Sequence, residues 1–127
     1  MLDIKESNIS IYGSHDANIC INVDGKYFIY ELERITKRRN FNLSYIDPYG
    51  DTICYDTLVC VKQLIEKDHG ISKFDICYYS ELPNPFRGWM KDIFGCTAFV
   101  EVDHHLAHAA CGLYQSSYDE CLIISYD

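Results

Sequence analysis

The sequence lacks both a long apolar run and an excess of positive charge. No stretch approaches the roughly 20 apolar residues that a membrane-spanning helix needs. The 19 acidic side chains outnumber the 11 basic ones, and the formal net charge of −8 disfavours nucleic acid and acidic membrane surfaces as partners. The segment from Met1 to Ser7 has no apolar core of the kind found in secretory signal peptides. We therefore expect a soluble, cytoplasmic protein with no nucleic-acid or membrane partner.

Several motifs of nucleotide-binding and nucleophilic enzymes are also missing. There is no GxxxxGK[ST] phosphate loop, no GxGxxG fingerprint and no GxSxG nucleophile elbow. The seven cysteines form no CxxC pair, and most lie in apolar runs, which is typical of reduced, buried thiols in a cytoplasmic protein. A nucleophilic role beside a histidine stays open for Cys111, although a small packing residue is the simpler interpretation.

The pattern of apolar residues predicts one α/β domain, since 127 residues with 48% hydrophobic content can bury a core. Strands are predicted at residues 8–12, 19–23, 26–33, 74–79, 97–102 and 122–126. Helical periodicity is found at 54–67, at 89–94 and after Asp103, an N-cap residue, as far as Gly112 to Gln115. This order predicts a mixed sheet with an initial three-stranded antiparallel meander and flanking helices.

The last predicted helix carries three of the five histidines. His104 and His108 are four positions apart, so they project from one helix face and can ligate a single transition-metal ion. His105 points about 100° away from them. Asp127, at the end of the predicted last strand, would add a carboxylate and give a two-histidine, one-carboxylate set. The alternative is that the histidines pack or cap an alanine-rich helix, but their density favours a metal or catalytic role.

A glycine-led turn, Gly13 to Asn18, separates the first two strands. Its backbone amides, together with His15, are suited to hold an anion or an acyl phosphate. The alternative is a plain turn in which Asp16 and Asn18 cap their own backbone.

A basic segment follows the third strand and contains Arg34, Lys37, Arg38 and Arg39. Arginine side chains suit bidentate recognition of phosphates and carboxylates. The alternative is a solvated strand end with ordinary surface pairs, such as Glu33 with Lys37.

These segments, in this order, resemble the amino-terminal part of the carbamoyltransferases that modify nodulation factors and antibiotics. The turn Gly13–Ala17 is similar to the Gly-x-His-Asp-(Ala/Ser) turn of that family. Glu33–Lys37 approximates its Glu-x-Arg-x-(Thr/Ser)-(Arg/Lys) segment, and Asp103–Ala109 matches its Asp-His-His-x-x-His-Ala run residue for residue. Residues 121–127 resemble a strand that ends in Asp before a glycine-rich phosphate turn.

The resemblance implies an actin-like ATPase fold built from two ribonuclease-H-like halves, shared with the universal tRNA threonylcarbamoyl-modification proteins. Residues 1–120 would be the N-terminal lobe, and residues 121–127 the first strand of a truncated second lobe. It implies an O-carbamoyltransferase that uses carbamoyl phosphate and ATP, forms a carbamoyl-adenylate, and carbamoylates a hydroxyl of a small molecule or glycan. Because the second lobe is missing, we expect a fragment, a truncated product or a subunit completed by a second chain. The alternative is a non-catalytic metal- or nucleotide-binding regulatory module of the same fold.

The resemblance also implies site residues of three kinds. A divalent metal, with iron expected, would be held by His104, His108 and Asp127. The catalytic residues at the carbamoyl phosphate site would be His15 and Asp16. Phosphate charge would be balanced by Arg34, Lys37 and Arg39, the last of these standing where family members often carry a lysine.

Overall fold

A five-stranded mixed sheet organises the chain, and the computed structural model describes residues 7–43, 53–83 and 85–124 of it. The elements in chain order are β1 (Ser7–Tyr12), β2 (Asn18–Val23), β3 (Lys26–Glu31), α1 (Leu32–Thr36), α2 (Ile53–His69), β4 (Ile76–Ser80), α3 (Pro85–Phe94), β5 (Ala98–Glu101) and α4 (His104–Gln115). The strand order in space is β3-β2-β1-β4-β5. Strands β1 to β3 form an antiparallel meander, whereas β4 and β5 run parallel to β1. The α/β class, the mixed sheet and its initial meander are therefore confirmed.

A tight turn between β2 and β3 sets the register of the meander. Asp24 and Gly25 have φ values of 52° and 82°, the positive values that a type I′ hairpin requires at both central positions. The Gly25 amide donates a hydrogen bond to Oδ1 of Asn22 at 3.0 Å. Val23 therefore pairs with Lys26.

The core lies between one face of the sheet and the helices α2 and α3. Alternation along the strands directs every second side chain to this face. The residues that meet there are at most 2% exposed: Ile9, Ile11, Ile19, Ile21, Leu58, Val61, Ile65, Cys77, Met90 and Phe94. Burial of each large side chain stabilises the fold by about 1.5–3 kcal/mol.

The opposite face of the sheet is much less covered. One row across all five strands contains Ile29, Cys20, Ser10, Tyr78 and Val100. Ile29 is 67% exposed and Val100 is 43% exposed. Helix α4 lies at one end of this face and contains no buried residue. The functional groups described below occur at that end.

The three predicted helices lie close to their predicted positions, whereas α1 was not predicted. Helix α3 begins at Pro85, four residues before the predicted start, and proline is well tolerated in a first helical turn. Helix α4 begins directly after Asp103, as predicted. None of the helices in the described ranges has the length and apolar character needed to cross a membrane.

Several predicted strands differ in extent from the structure, and β4 begins at Ile76 instead of residue 74. The third strand ends at Glu31 instead of residue 33, because Leu32 is fully buried, its amide bonds to the Ala17 carbonyl at 3.0 Å, and α1 begins there. Residues 121–124 do not form a strand, and Leu122 is 87% exposed. A strand is stabilised by its ladder partners, and these four residues pair with no described strand. The remainder of that predicted strand, including Asp127, lies outside the described residues.

The cysteines are only partly as predicted. Cys54, Cys77 and Cys96 are buried, and Cys20 and Cys60 are half-buried. The two others, Cys111 and Cys121, are exposed, and all seven are free thiols. The prediction of buried thiols is therefore wrong for Cys111 and Cys121, because α4 and the residues after it are not covered by the core.

Candidate functional site

A cavity of about 590 Å³ lies at the carboxyl ends of the parallel strands. The end of β1, the turn after it, the end of β4 and one side of α4 all contribute to its wall. In open α/β sheets, ligands bind in the crevice outside the carboxyl ends of the strands. The position of this cavity makes it the candidate functional site.

Helix α4 brings its two spaced histidines to this cavity. The Asp103 carboxylate accepts a hydrogen bond from the Leu106 amide at 2.9 Å and caps the first turn. His104 and His108 follow on one face, and their Nε2 atoms are 3.2 Å apart. Two imidazole nitrogens bound to one tetrahedral metal ion at about 2.0–2.1 Å lie about 3.3 Å apart. The observed spacing therefore fits two ligands of a single ion.

The set of metal ligands is not complete within the described residues. There, no group of three or more His, Cys, Asp or Glu side chains is arranged to hold a metal ion. The predicted third ligand, Asp127, lies outside the described residues. The described residues therefore provide two nitrogen donors, and a transition-metal ion would need further carboxylate or water ligands to reach its preferred coordination number.

The His15 turn opens onto the same cavity. Nδ1 of His15 is 2.9 Å from Oδ2 of Asp16, and both side chains line the cavity wall. Their side chains are 70% and 77% exposed, so both can reach a ligand from solvent. The plain-turn alternative also has support, since Asp16 has a φ of 61° and its backbone carbonyl accepts a hydrogen bond from the side-chain Nδ2 of Asn18 at 3.0 Å. The turn thus holds its own shape and presents an imidazole–carboxylate pair.

Two residues outside the predicted motifs, Tyr12 and Glu81, contact these histidines. The Tyr12 ring stacks on the His104 ring, with centroids 5.6 Å apart and planes at 25°, and meets the His15 ring edge-on at 6.1 Å. The Tyr12 hydroxyl donates to Oε2 of Glu81 at 3.4 Å. Burial, assisted by the nearby Glu81 carboxylate, raises the pKa of Tyr12. Tyr12 ends the first predicted strand and Glu81 follows the fourth by two positions, so each could have been noted for its place near the carboxyl end of a strand.

The basic residues do not share one location. Arg34 pairs with the Glu31 carboxylate and lines a neighbouring cavity of about 440 Å³, whose wall also includes Asp16. Arg39 lines a third, smaller cavity of about 170 Å³. Lys37 ends α1 in the left-handed conformation, with a φ of 58°. Of the three predicted phosphate-binding residues, Arg34 is the one placed next to the His15 turn.

The wall of the main cavity also includes one exposed thiol. Cys111 lies one turn beyond His108 on α4, and its Sγ accepts a hydrogen bond from Nε2 of Gln115 at 3.5 Å. The packing interpretation of Cys111 was wrong, because its side chain is exposed. The nucleophilic interpretation stays a prediction.

Neither a protein-family model nor a curated protein matches this chain.

Proposed function

We propose that the chain forms the N-terminal, ribonuclease-H-like lobe of an actin-like ATPase fold and serves an O-carbamoyltransferase that uses carbamoyl phosphate and ATP. The observation that carries the proposal is that the His15 turn and the His104–His108 pair line one cavity. His15 and His104 are 89 positions apart in the sequence. The resemblance assigns His15 to the carbamoyl phosphate and His104 to the metal ion. The five-stranded mixed sheet is compatible with one ribonuclease-H-like half.

In this proposal, His15 and Asp16 handle a proton at the carbamoyl phosphate. With Nδ1 of His15 donating to Asp16, Nε2 is left free to accept a proton from a phosphate oxygen or return it. The carboxylate fixes the orientation of the ring. The pair would thus move a proton as carbamoyl phosphate reacts with water and releases inorganic phosphate. The resulting carbamate would displace pyrophosphate from ATP to form the carbamoyl-adenylate, and a hydroxyl of a small molecule or glycan would then take the carbamoyl group and release AMP.

Positive charge near the phosphate would come first from Arg34. Its side chain is 82% exposed and lies beside the cavity that also contacts Asp16, so a change of rotamer can move it from Glu31 to a bound phosphate. A guanidinium binds phosphate through two parallel hydrogen bonds. Lys37 and Arg39 are assigned to phosphate by the resemblance, and the geometry supports them less than Arg34.

The metal would be held by the Nε2 atoms of His104 and His108, with Asp127 as the third ligand and iron as the expected ion. A bound metal ion would supply a Lewis acid for phosphate oxygens beside the cavity. The neighbouring Tyr12 ring keeps water from one side of His104, which is 25% exposed.

A second lobe would complete the site, carried by a further segment or by a second chain in the cytoplasm. The exposure of α4 supports this part of the proposal, since Leu106 is 62% exposed and Tyr114 is 87% exposed. Large apolar side chains in such positions commonly mark a surface that another domain or subunit covers.

The first experiment is a titration of the chain with carbamoyl phosphate, followed by NMR, with inorganic phosphate in parallel. We expect the NMR signals of residues 13–18 and 104–108 to shift. His15→Ala should weaken the binding of carbamoyl phosphate about tenfold, which corresponds to about 1.4 kcal/mol. His69→Ala is the matched control, because His69 packs on Phe28, on the opposite face of the sheet.

The outcome separates two functions. Binding that depends on His15, followed by carbamoyl phosphate-dependent pyrophosphate release when a second lobe is added, would support the transferase. Metal binding without any response to carbamoyl phosphate would refute the transferase and favour the regulatory module.

A further inference from the structure

We propose that Glu81 is a positioning residue for His104, an assignment that builds on the proposed metal role of the histidine pair. Oε1 of Glu81 is 4.0 Å from Nδ1 of His104. The other ring nitrogen of His104, Nε2, faces His108 at 3.2 Å. The carboxylate thus approaches the ring from the side opposite the proposed metal position.

This arrangement matches what a metal-binding imidazole needs. A ligating histidine nearly always donates its second ring N–H to a carboxylate, a carbonyl or a water, and this contact fixes both tautomer and ring orientation. If Nδ1 of His104 carries the proton towards Glu81, Nε2 keeps its lone pair for the ion. The 4.0 Å separation is longer than a hydrogen bond, and a small shift of the Glu81 carboxylate towards the ring would close it.

The backbone of Glu81 is held firmly against the His15 turn. Glu81 follows β4 directly and has a φ of 51°. A Cβ atom placed on Gly13 would come within 2.5 Å of the Glu81 carbonyl oxygen, and the Gly13 amide donates to the Ser80 carbonyl at 3.2 Å. Only glycine permits this approach, so the turn and Glu81 are fixed relative to each other.

Tyr12 restrains the Glu81 side chain. Its hydroxyl donates to Oε2 of Glu81 at 3.4 Å, while its ring stacks on His104. The other carboxylate oxygen, Oε1, is therefore the one directed at Nδ1 of His104. Tyrosine, glutamate and histidine form a short polar chain in which each group limits the movement of the next.

The test uses the whole chain, ¹⁵N-labelled on histidine, with Zn²⁺ as the metal probe. NMR of the metal-free chain reports the tautomer of His104, and a Zn²⁺ titration reports affinity. We expect Glu81→Ala to shift His104 from the Nδ1–H form to a mixture of tautomers and to weaken Zn²⁺ binding by about tenfold, the lower end of the effect of such supporting groups. Glu81→Gln keeps an oxygen acceptor and should retain the wild-type tautomer.

One further variant serves as a control, and another replaces Glu81→Ala if that variant does not fold. Glu101→Ala, an exposed glutamate of β5 outside the cavity wall, should change neither readout. If Glu81→Ala fails to fold, Glu81→Asn replaces it, because asparagine tolerates a positive φ and is too short to reach His104.

The two proposals fail in different ways. The tautomer measurement needs no metal, so an unchanged His104 tautomer in Glu81→Ala would overturn the positioning role. An absence of Zn²⁺ binding by the wild-type chain, with a tautomer that still responds to Glu81, would count against the metal role alone.

Discussion

Replacing Asp103 by alanine should loosen helix α4 while leaving the rest of the domain folded. The Asp103 side chain accepts from the Leu106 amide at 2.9 Å, and its carbonyl accepts from the Ala107 amide at the same distance. Alanine keeps the second bond and removes the first. Since α4 contains no buried residue, the cap is a large part of what holds the first turn in place.

The expected magnitude follows from the cap and from the length of the helix. Loss of an Asp N-cap costs about 1 kcal/mol. Helices of about 12 residues are marginal in water without packing, and α4 has 12 residues. A loss of about 1 kcal/mol changes the helix–coil equilibrium about fivefold. Because His104 and His108 meet only when the helix is formed, the proposed metal role predicts that Zn²⁺ affinity falls by a similar factor.

The assay combines a local and a global measurement. Amide hydrogen exchange of residues 104–115 should accelerate about fivefold in Asp103→Ala, while the free energy of unfolding in urea changes by less than about 0.5 kcal/mol. Asp103→Asn, which keeps an acceptor oxygen, is the control and should retain most of the protection. Unchanged exchange in Asp103→Ala, or a global loss of 1 kcal/mol or more, would refute the reasoning.

The remaining predictions concern the His15 turn and the far side of the sheet. Gly13→Ala should destabilise the fold by about 1–3 kcal/mol, because the added methyl meets the backbone of Glu81. Gly88→Ala, in open space within a helix, should stabilise it by about 0.5–1 kcal/mol, and urea unfolding checks both. Burial and the Asp68 carboxylate, 2.9 Å away, raise the pKa of Tyr30 from 10.0 to about 12. The folded state therefore binds this proton more tightly, so stability present below pH 10 should be lost as the pH rises to about 12. Urea unfolding across this range should show a smaller loss in Tyr30→Phe; an equal loss would contradict the assignment.

The local parts of the fold and the general class of the sheet could be predicted from the sequence, whereas individual contacts between distant residues could not. The Asp24–Gly25 hairpin and the Asp103 cap depend on neighbouring residues, so their residue types were sufficient. Helix α1 was missed because its start depends on a bond between Leu32 and Ala17, 15 positions earlier. The contact between Glu81 and Tyr12 was missed for a similar reason, since only the parallel pairing of β1 with β4 brings these residues together.

The two halves of the candidate site differ in how firmly they are held. His15 belongs to a turn fixed to β1, a central strand whose Ile9 and Ile11 are buried in the core. His104 and His108 belong to a helix that contributes nothing to that core. Under the proposed function, anything that covers α4 and orders it also raises the fraction of chains in which the two Nε2 atoms converge. By linkage, metal bound to the pair must then favour docking of the covering lobe by the same factor. The ratio of the Zn²⁺ affinities with and without an added second lobe would measure this coupling. Equal affinities would show that α4 is already fully ordered on its own.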